Sequence, residues 1–291
     1  MRTLVHMSDL HFRWVDPELL GPLTQQLHEL APDLIIISGD LTQRALRSEF
    51  HAAKKFLDGL PQPQIVVPGN HDVPMFNVFS RFMRPLHSYR SIITEDLQPF
   101  YEDDEIAVVG INTARSLTIK NGRINEEQME HVRAVMGPID DRKTKIVVTH
   151  HPFDLPQDAD QDDLVGRAQR AMNVFAHCKV DLLLAGHMHS QHAGCTSQRY
   201  AIGDYAALSI QAGTATSTRT RGEVQSFNII RAGETTVSID HMAWRAEEKV
   251  FECVETETYL HSEHGWSPLE SNVGTDSHPE RARKAGSSAA K

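Results

Sequence analysis

The chain has 291 residues, 40% of them hydrophobic, and a formal net charge of −10. That length can bury a sizeable core as one large domain or two modest ones, while the charge leaves no global basic field to hold extended nucleic acid or an anionic membrane. Three cysteines with no CxxC pair make no disulfide framework, no apolar run reaches bilayer length, and Met1 leads directly into a strand-like segment, so a cytoplasmic protein without a membrane span is expected.

Short apolar runs alternate with amphipathic segments, which predicts an α/β fold. In chain order, strands are expected at 3–7, 34–38, 64–67, 106–111, 145–149 and 181–185. Between them, Asp16-Pro17-Glu18 sets an N-cap with proline at the first helical position for a helix running to about Leu30. A second helix is expected from Ser48 to Gly59. A third starts at Asn125, where Gln128 completes a capping box, and a fourth covers 168–178. After His189, alternation at 208–211, 226–230 and 236–241 predicts antiparallel strands. The segment 73–104, rich in aromatic and Arg residues, interrupts the rhythm and is expected to fold over a site as an inserted cap. A domain spanning 1–260 is expected, followed by a Ser-, Gly- and charge-rich tail, 261–291, with too little apolar content to order.

Five short motifs follow the apolar runs, at the strand ends where open α/β sheets place their sites. They are Asp9-Leu10-His11, Gly39-Asp40, Gly69-Asn70-His71-Asp72, His150-His151 and Gly186-His187-Met188-His189. Two divalent cations held about 3.5–4 Å apart need a shared carboxylate and mixed oxygen and imidazole ligands. Asp40 is the natural bridge; Asp9, His11 and His189 can supply one ion, and Asn70, His150 and His187 the other. Glycines beside Asp40, Asn70 and His187 are expected to let the backbone turn sharply. Two such ions, less the charges of Asp9, Asp40 and a hydroxide, leave a net positive site suited to a phosphate. The donor set suits Mn, Fe, Zn or Co.

The ordered set resembles the calcineurin-like metallophosphoesterases, whose pattern is D-x-H, G-D, G-N-H-D/E, H and G-H-x-H. The resemblance implies a four-layer αββα sandwich and metal roles for Asp9, His11, Asp40, Asn70, His150, His187 and His189. It also implies a catalytic acid at His71. His150 is preferred to His151 because the family ligand stands two residues before the proline, and adjacent strand residues point to opposite faces. Within the superfamily, His6–His11, Gly39–Thr42, Gly69–Asp72 and Thr149–Pro152 are similar to bacterial class III cyclic-nucleotide phosphodiesterases, a group in which dimers are common.

The expected reaction is in-line attack of a metal-bridging hydroxide on a small phosphodiester, with 3′,5′-cyclic AMP as leading candidate. His71 would protonate the leaving alkoxide, and Asp72 would accept from its other ring nitrogen and fix the tautomer. A glycerophosphodiester, a lipid or nucleotide-lipid headgroup or a phosphomonoester is the alternative substrate. A non-catalytic scaffold would need broken motifs, and every position here is filled. Asn70 and Arg115 are candidate phosphate contacts, as are Arg44, Arg219 and Arg221, since Arg forks onto phosphate oxygens. Against them stands an ordinary solvated Arg. Residues 75–82 could line a lid, form a dimer contact or simply pack. His6, His28, His51, His131 and His177 lie outside any motif and read as core or surface histidines, and the acidic run 158–163 reads as a solvated face.

Overall fold

The computed structural model describes residues 1–269 apart from 76, 119, 157–158, 219–221 and 263–264. Two sheets carry the architecture. The first has order β13-β12-β11-β10-β1-β2-β3, with β1 Arg2–Met7, β2 Leu34–Ile37, β3 Gln64–Val66, β10 Ser226–Ala232, β11 Thr236–Arg245, β12 Val250–Ser262 and β13 Gly265–Pro268. The second has order β4-β5-β6-β7-β9-β8, with β4 Phe100–Glu102, β5 Ile106–Gly110, β6 Thr144–Val148, β7 Leu182–Ala185, β8 His192–Cys195 and β9 Leu208–Gln211.

Successive strand residues point to opposite faces, and three apolar layers follow from that alternation. Leu4, Leu34, Ile36 and Ile65 meet Val108, Ile146, Val148 and Leu184 between the sheets. Val5, Met7, Ile35 and Ile37 turn outward onto α1 (Pro17–Leu30) and α2 (Arg47–Asp58). Val109, Val147 and Leu183 turn the other way onto α5 (Glu126–Met136) and α6 (Ala168–Cys178). Helix, sheet, sheet and helix make the expected four-layer sandwich. The α1 stripe Leu19, Leu23 and Leu27 recurs every four residues, and Asp16 caps the helix by accepting from Glu18 N at 3.0 Å. Asn125 and Gln128 form the capping box of α5.

Four expectations change. Strand β9 pairs antiparallel with β8 as expected, but its other neighbour, β7, runs parallel to it, so 208–211 also closes a crossover. Part of the 73–104 segment is not cap: residues 100–102 form the edge strand β4, antiparallel to β5, leaving α3 (Val78–Met83) and α4 (His87–Ile92) as the inserted helices. The ordered sheet also runs past 260, because β13 pairs with β12 and buries Trp266 to 3% exposure in the inter-sheet core. A lone Trp in a polar stretch gave no periodic signal. The rest of the expected tail, 270–291, lies outside the described residues.

In the acidic run Asp160 and Asp162 are exposed as expected, but Asp163 departs and is buried; Asp158 lies outside the described residues. No helix among the described residues is long and apolar enough to cross a membrane.

Candidate metal centre

Strands β1, β2 and β3 run parallel, as do β5, β6 and β7, so all five motifs emerge at carboxyl ends. Backbone hydrogen bonds carry the ladder into the loops: Asp9 N donates to Gly39 O (3.1 Å) and His11 N to Asp40 O (2.9 Å). The sheets are then stitched together. His150 Nδ1 lies 2.8 Å from Ser38 O, and His187 N donates to Asp9 Oδ2 at 3.0 Å.

The backbone itself is unusual here. Asp9, His11, Asp40, His187 and His189 have φ of 54°, 45°, 53°, 72° and 63°. Non-glycine residues held in such conformations cost roughly 1–3 kcal/mol each and persist where surrounding structure over-determines them. Gly39, at φ 96°, is the turn the sequence suggests. Gly69 acts differently, since its φ of −105° is open to any residue. A Cβ there would sit 2.1 Å from Asp40 Oδ1, so this glycine supplies room rather than rotation.

All seven candidate ligands are buried and converge. Asp9 Oδ1 lies 3.5 Å from both His11 Nε2 and His189 Nε2, and the two imidazoles stack within 7° of parallel. Asp40 Oδ2 stands between the halves, 3.8 Å from His11 Nε2 and 3.4 Å from His150 Nε2. Its Oδ1 accepts from His71 N at 2.8 Å, leaving Oδ2 as the oxygen to share. Asn70 Oδ1 lies 3.1 Å from His150 Nε2, and the His187 ring packs 5.2 Å from that of His150.

Asp9 Oδ1 and both ring nitrogens of His11 are buried with no hydrogen-bond partner. Such orphaned atoms are costly unless something fills the gap. Lone pairs of carboxylate and imidazole aimed at one another fit divalent cations in each half, with Asp40 between. The charge balance points the same way. Burial opposes ionisation of Asp9, but His189, His11 and His150 hold its carboxyl far below the usual range. Burial likewise opposes ionisation of Asp40, and His150, His71 and His11 outweigh it. Burial pulls His150 down, yet Asp40 lifts it to about 9, so a cation bound there would take the place of a proton.

The remaining residues divide sharply. His151 offers no ligand nitrogen: Nδ1 is 2.8 Å from Thr113 Oγ1 and Nε2 2.8 Å from Lys120 O, and burial holds the ring well below its usual pKa. His6 is a core histidine bonded to Ser38 Oγ at 2.9 Å and driven down to about 3 by burial. The expected Asp72–His71 contact is replaced. Asp72 accepts from the backbone N–H groups of Leu41, Thr42 and Gly69 and from Thr42 Oγ1, at 2.9–3.1 Å, tying two ligand loops together. Burial and the neighbouring Asp40 push its carboxyl up to about 6. His71 Nδ1 instead points at Gln43, 2.9 Å from its backbone O and 3.2 Å from its side-chain Nε2, and that residue orients the ring.

Arg115 is half-buried beside the cap, where it lines a cavity with Arg84, Arg90 and Val73 that none of the seven candidate ligands lines. Arg44 is exposed, and Arg219 and Arg221 lie outside the described residues.

Two further residues join the centre without a motif to announce them. Thr214 Oγ1 is 2.7 Å from His189 Nδ1. Asp163 Oδ1 lies 3.8 Å from His187 Nε2 and 2.5 Å from Lys120 Nζ; His187 and Lys120 draw its carboxyl down to about 2. An acidic run carries no signal for which member turns inward.

The fold and this centre define a class. The chain belongs to the calcineurin-like phosphoesterase family, which its residues 2–191 match. Among curated relatives it is 25% identical over 163 residues to the glycerophosphodiester phosphodiesterase GpdQ of Enterobacter lignolyticus, spanning 52% of this chain and 58% of that protein. It is also 25% identical over 203 residues to a probable cyclic nucleotide phosphodiesterase of Synechococcus, covering 64% and 73% of the two chains. Against the 3′,5′-cyclic adenosine monophosphate phosphodiesterase CpdA of Escherichia coli K12, identity is 25% over 170 residues, 56% of this chain and 57% of CpdA. Two solved structures share the fold. The yellow lupin purple acid phosphatase PPD1 superposes with a TM-score of 0.66 at 12% identity over 88% of this chain and 53% of its own. A dimetal phosphatase from Danio rerio gives 0.63 at 17% over 90% and 99%.

Proposed function

We propose that the protein is a metal-dependent phosphodiesterase that cleaves a small phosphodiester at the Asp/His centre. The observation that carries this reading is the set of orphaned lone pairs at Asp9 Oδ1 and on the His11 ring, facing His189 and Asp40 across less than 4 Å. Asp9, His11 and His189 would hold one divalent ion and Asn70, His150 and His187 the other, with Asp40 shared. When bound, the pair supplies Lewis acidity for the phosphoryl oxygens and an activated water for in-line displacement.

The chain's own groups do the rest. His71 is oriented at Nδ1 by Gln43, and as an imidazolium it would give the proton on Nε2 to the leaving oxygen. Asp72 and Thr42 fix the loops that carry Asp40 and Asn70, so that the centre is assembled before substrate arrives. Asn70 is placed to meet a phosphate oxygen as well as an ion.

Cyclic AMP is the leading substrate, and a glycerophosphodiester or lipid-type headgroup is the second reading. The second draws support from the cavity beside the centre, about 730 Å³, which is lined by Met83 and Leu117 as well as by arginines. A hydrolysis panel settles the order: cyclic AMP, cyclic GMP, glycerophosphodiesters, bis(p-nitrophenyl) phosphate and phosphomonoesters, each with Mn²⁺ or Fe²⁺. We expect turnover of diesters that depends on added metal. Activity on none of them after reconstitution with two ions per chain would sink the proposal.

A further inference from the structure

The cavity lies between the cap and the loop that follows β5. Thr113, between the lining residues Asn112 and Ala114, reaches the centre's neighbour His151, with its Oγ1 2.8 Å from the His151 Nδ1. Val73, directly after Asp72, is on the other wall. The space therefore opens beside the Asp/His centre. Its walls are tied together by Arg81 of α3, a guanidinium only 6% exposed. Arg81 donates to Ser116 O (2.7 Å), Pro74 O (3.0 Å) and Arg115 O (3.4 Å), and also to Thr118 O. A buried Arg that serves only backbone carbonyls acts as a strut, and it makes the cavity preformed.

The lining has two characters. Met83 and Leu117, 65% and 71% exposed, leave large apolar side chains uncovered at the mouth. Arg84, Arg90 and Arg115 line the cavity with them and outnumber its one carboxylate, Glu95; none of the three is in an ion pair among the described residues. Exposed apolar surface beside unpaired guanidinium groups is complementary to a ligand that is itself half apolar and half anionic.

Resting on the phosphodiesterase reading for the neighbouring centre, we propose that this cavity binds the non-reacting part of the substrate, and that this part is amphiphilic, with an apolar chain over Met83 and Leu117 and an anionic group held by Arg84, Arg90 and Arg115. The test uses metal-stripped protein, in which hydrolysis plays no part. Octyl phosphate, inorganic phosphate and octyl glucoside are each titrated by calorimetry below any micelle concentration.

Octyl phosphate should bind at least about tenfold more tightly than either control, because each control lacks one half of the match. Arg84→Gln/Arg90→Gln should weaken octyl phosphate about tenfold, the scale of a lost hydrogen bond to a charged group. Both arginines are exposed, so the variant is expected to fold, and its melting curve checks that. Equal binding of octyl phosphate and inorganic phosphate, equal binding of octyl glucoside, or no change in the folded double variant overturns the inference. Octyl phosphate binding in a protein that hydrolyses no diester would leave the cavity assignment standing and remove the phosphodiesterase reading instead.

Discussion

The floor of the site and the cap beside it are built on opposite principles. The floor is buried, five of its seven candidate ligands sit on backbone held at positive φ, and every loop is stitched to another by a named hydrogen bond. The cap is two six-residue helices with Val78, Phe79, Phe82 and Met83 exposed, tied to the domain by buried Arg81 on α3 and by Leu86 and Tyr89 at α4, which pack into the core. On the proposed function, the difference separates chemistry from selectivity. Positions that must be right to a fraction of an ångström are over-determined, and positions that meet a variable substrate group are left open.

The sharpest way to break this division is at Asp40, whose Oδ2 lies within 4 Å of an imidazole nitrogen in each half. Asp40→Asn should lower metal content and diester hydrolysis together, by more than the roughly 10–100-fold seen when only an outer partner of a ligand is lost. Elemental analysis alongside kinetics checks it, and full metal content in the variant would remove the shared-carboxylate role. In wild type, metal added at about 100 times its Kd should raise stability by about 2.7 kcal/mol over chelated protein. A melting temperature indifferent to chelation would mean that the orphaned atoms are filled by something other than an ion.

The next effect in size separates proton donation from metal binding. His71 lies one residue from Asn70 and accepts its orientation from Gln43, not from the metal clusters. His71→Ala should keep its metals and lose ~10²-fold or more on an alkyl diester, yet little on a nitrophenyl diester whose leaving group needs no proton. His187→Ala should depress both substrates alike. Equal losses in His71→Ala with metals retained would leave His71 a positioning residue.

The same division explains what could be read from the chain. The floor was legible because metal chemistry restricts residue type and the sheet fixes where each motif emerges, so Asp9, His11, Asp40, Asn70, His150, His187 and His189 all converge. The four main helices and the parallel strands were legible through period and caps. The partner of His71 was not, since a backbone carbonyl such as that of Gln43 has no sequence signature. Asp163 and Thr214 were hidden because burial of one polar residue depends on tertiary packing alone. At the sheet edges, β4 and β13 are short, and Trp266 finds its core only through the β12 hairpin.

Asp163 tests how far the floor extends. Its carboxylate faces His187 Nε2 and is anchored by Lys120, so it can hold the ring as an outer partner holds a ligand. Asp163→Asn should weaken the second ion roughly 10-fold or more in a competitive metal titration while the first ion stays bound. Unchanged affinity for both would return Asp163 to a purely structural ion pair.

The smallest expected effect belongs to the strut between the two regions. Arg81 reaches four carbonyls on two segments with one planar fork. Lysine keeps the charge and most of the length but presents a single ammonium, which cannot span the same set. Arg81→Lys should therefore loosen the cap and leave the floor intact. Hydrogen bonds to a charged donor contribute about 1.5–3 kcal/mol each when fully buried, but a loosened cap can re-form some of them and hydrate the rest. The expected outcome is a rise in KM of a few-fold, with kcat and metal content close to wild type. Because the strut crosses from α3 to the 115–118 loop, hydrogen exchange should quicken in both segments and stay slow at 9–11 and 39–42. If kcat falls with KM and exchange quickens at 39–42 as well, cap and floor are one cooperative unit, and the separation of chemistry from selectivity fails.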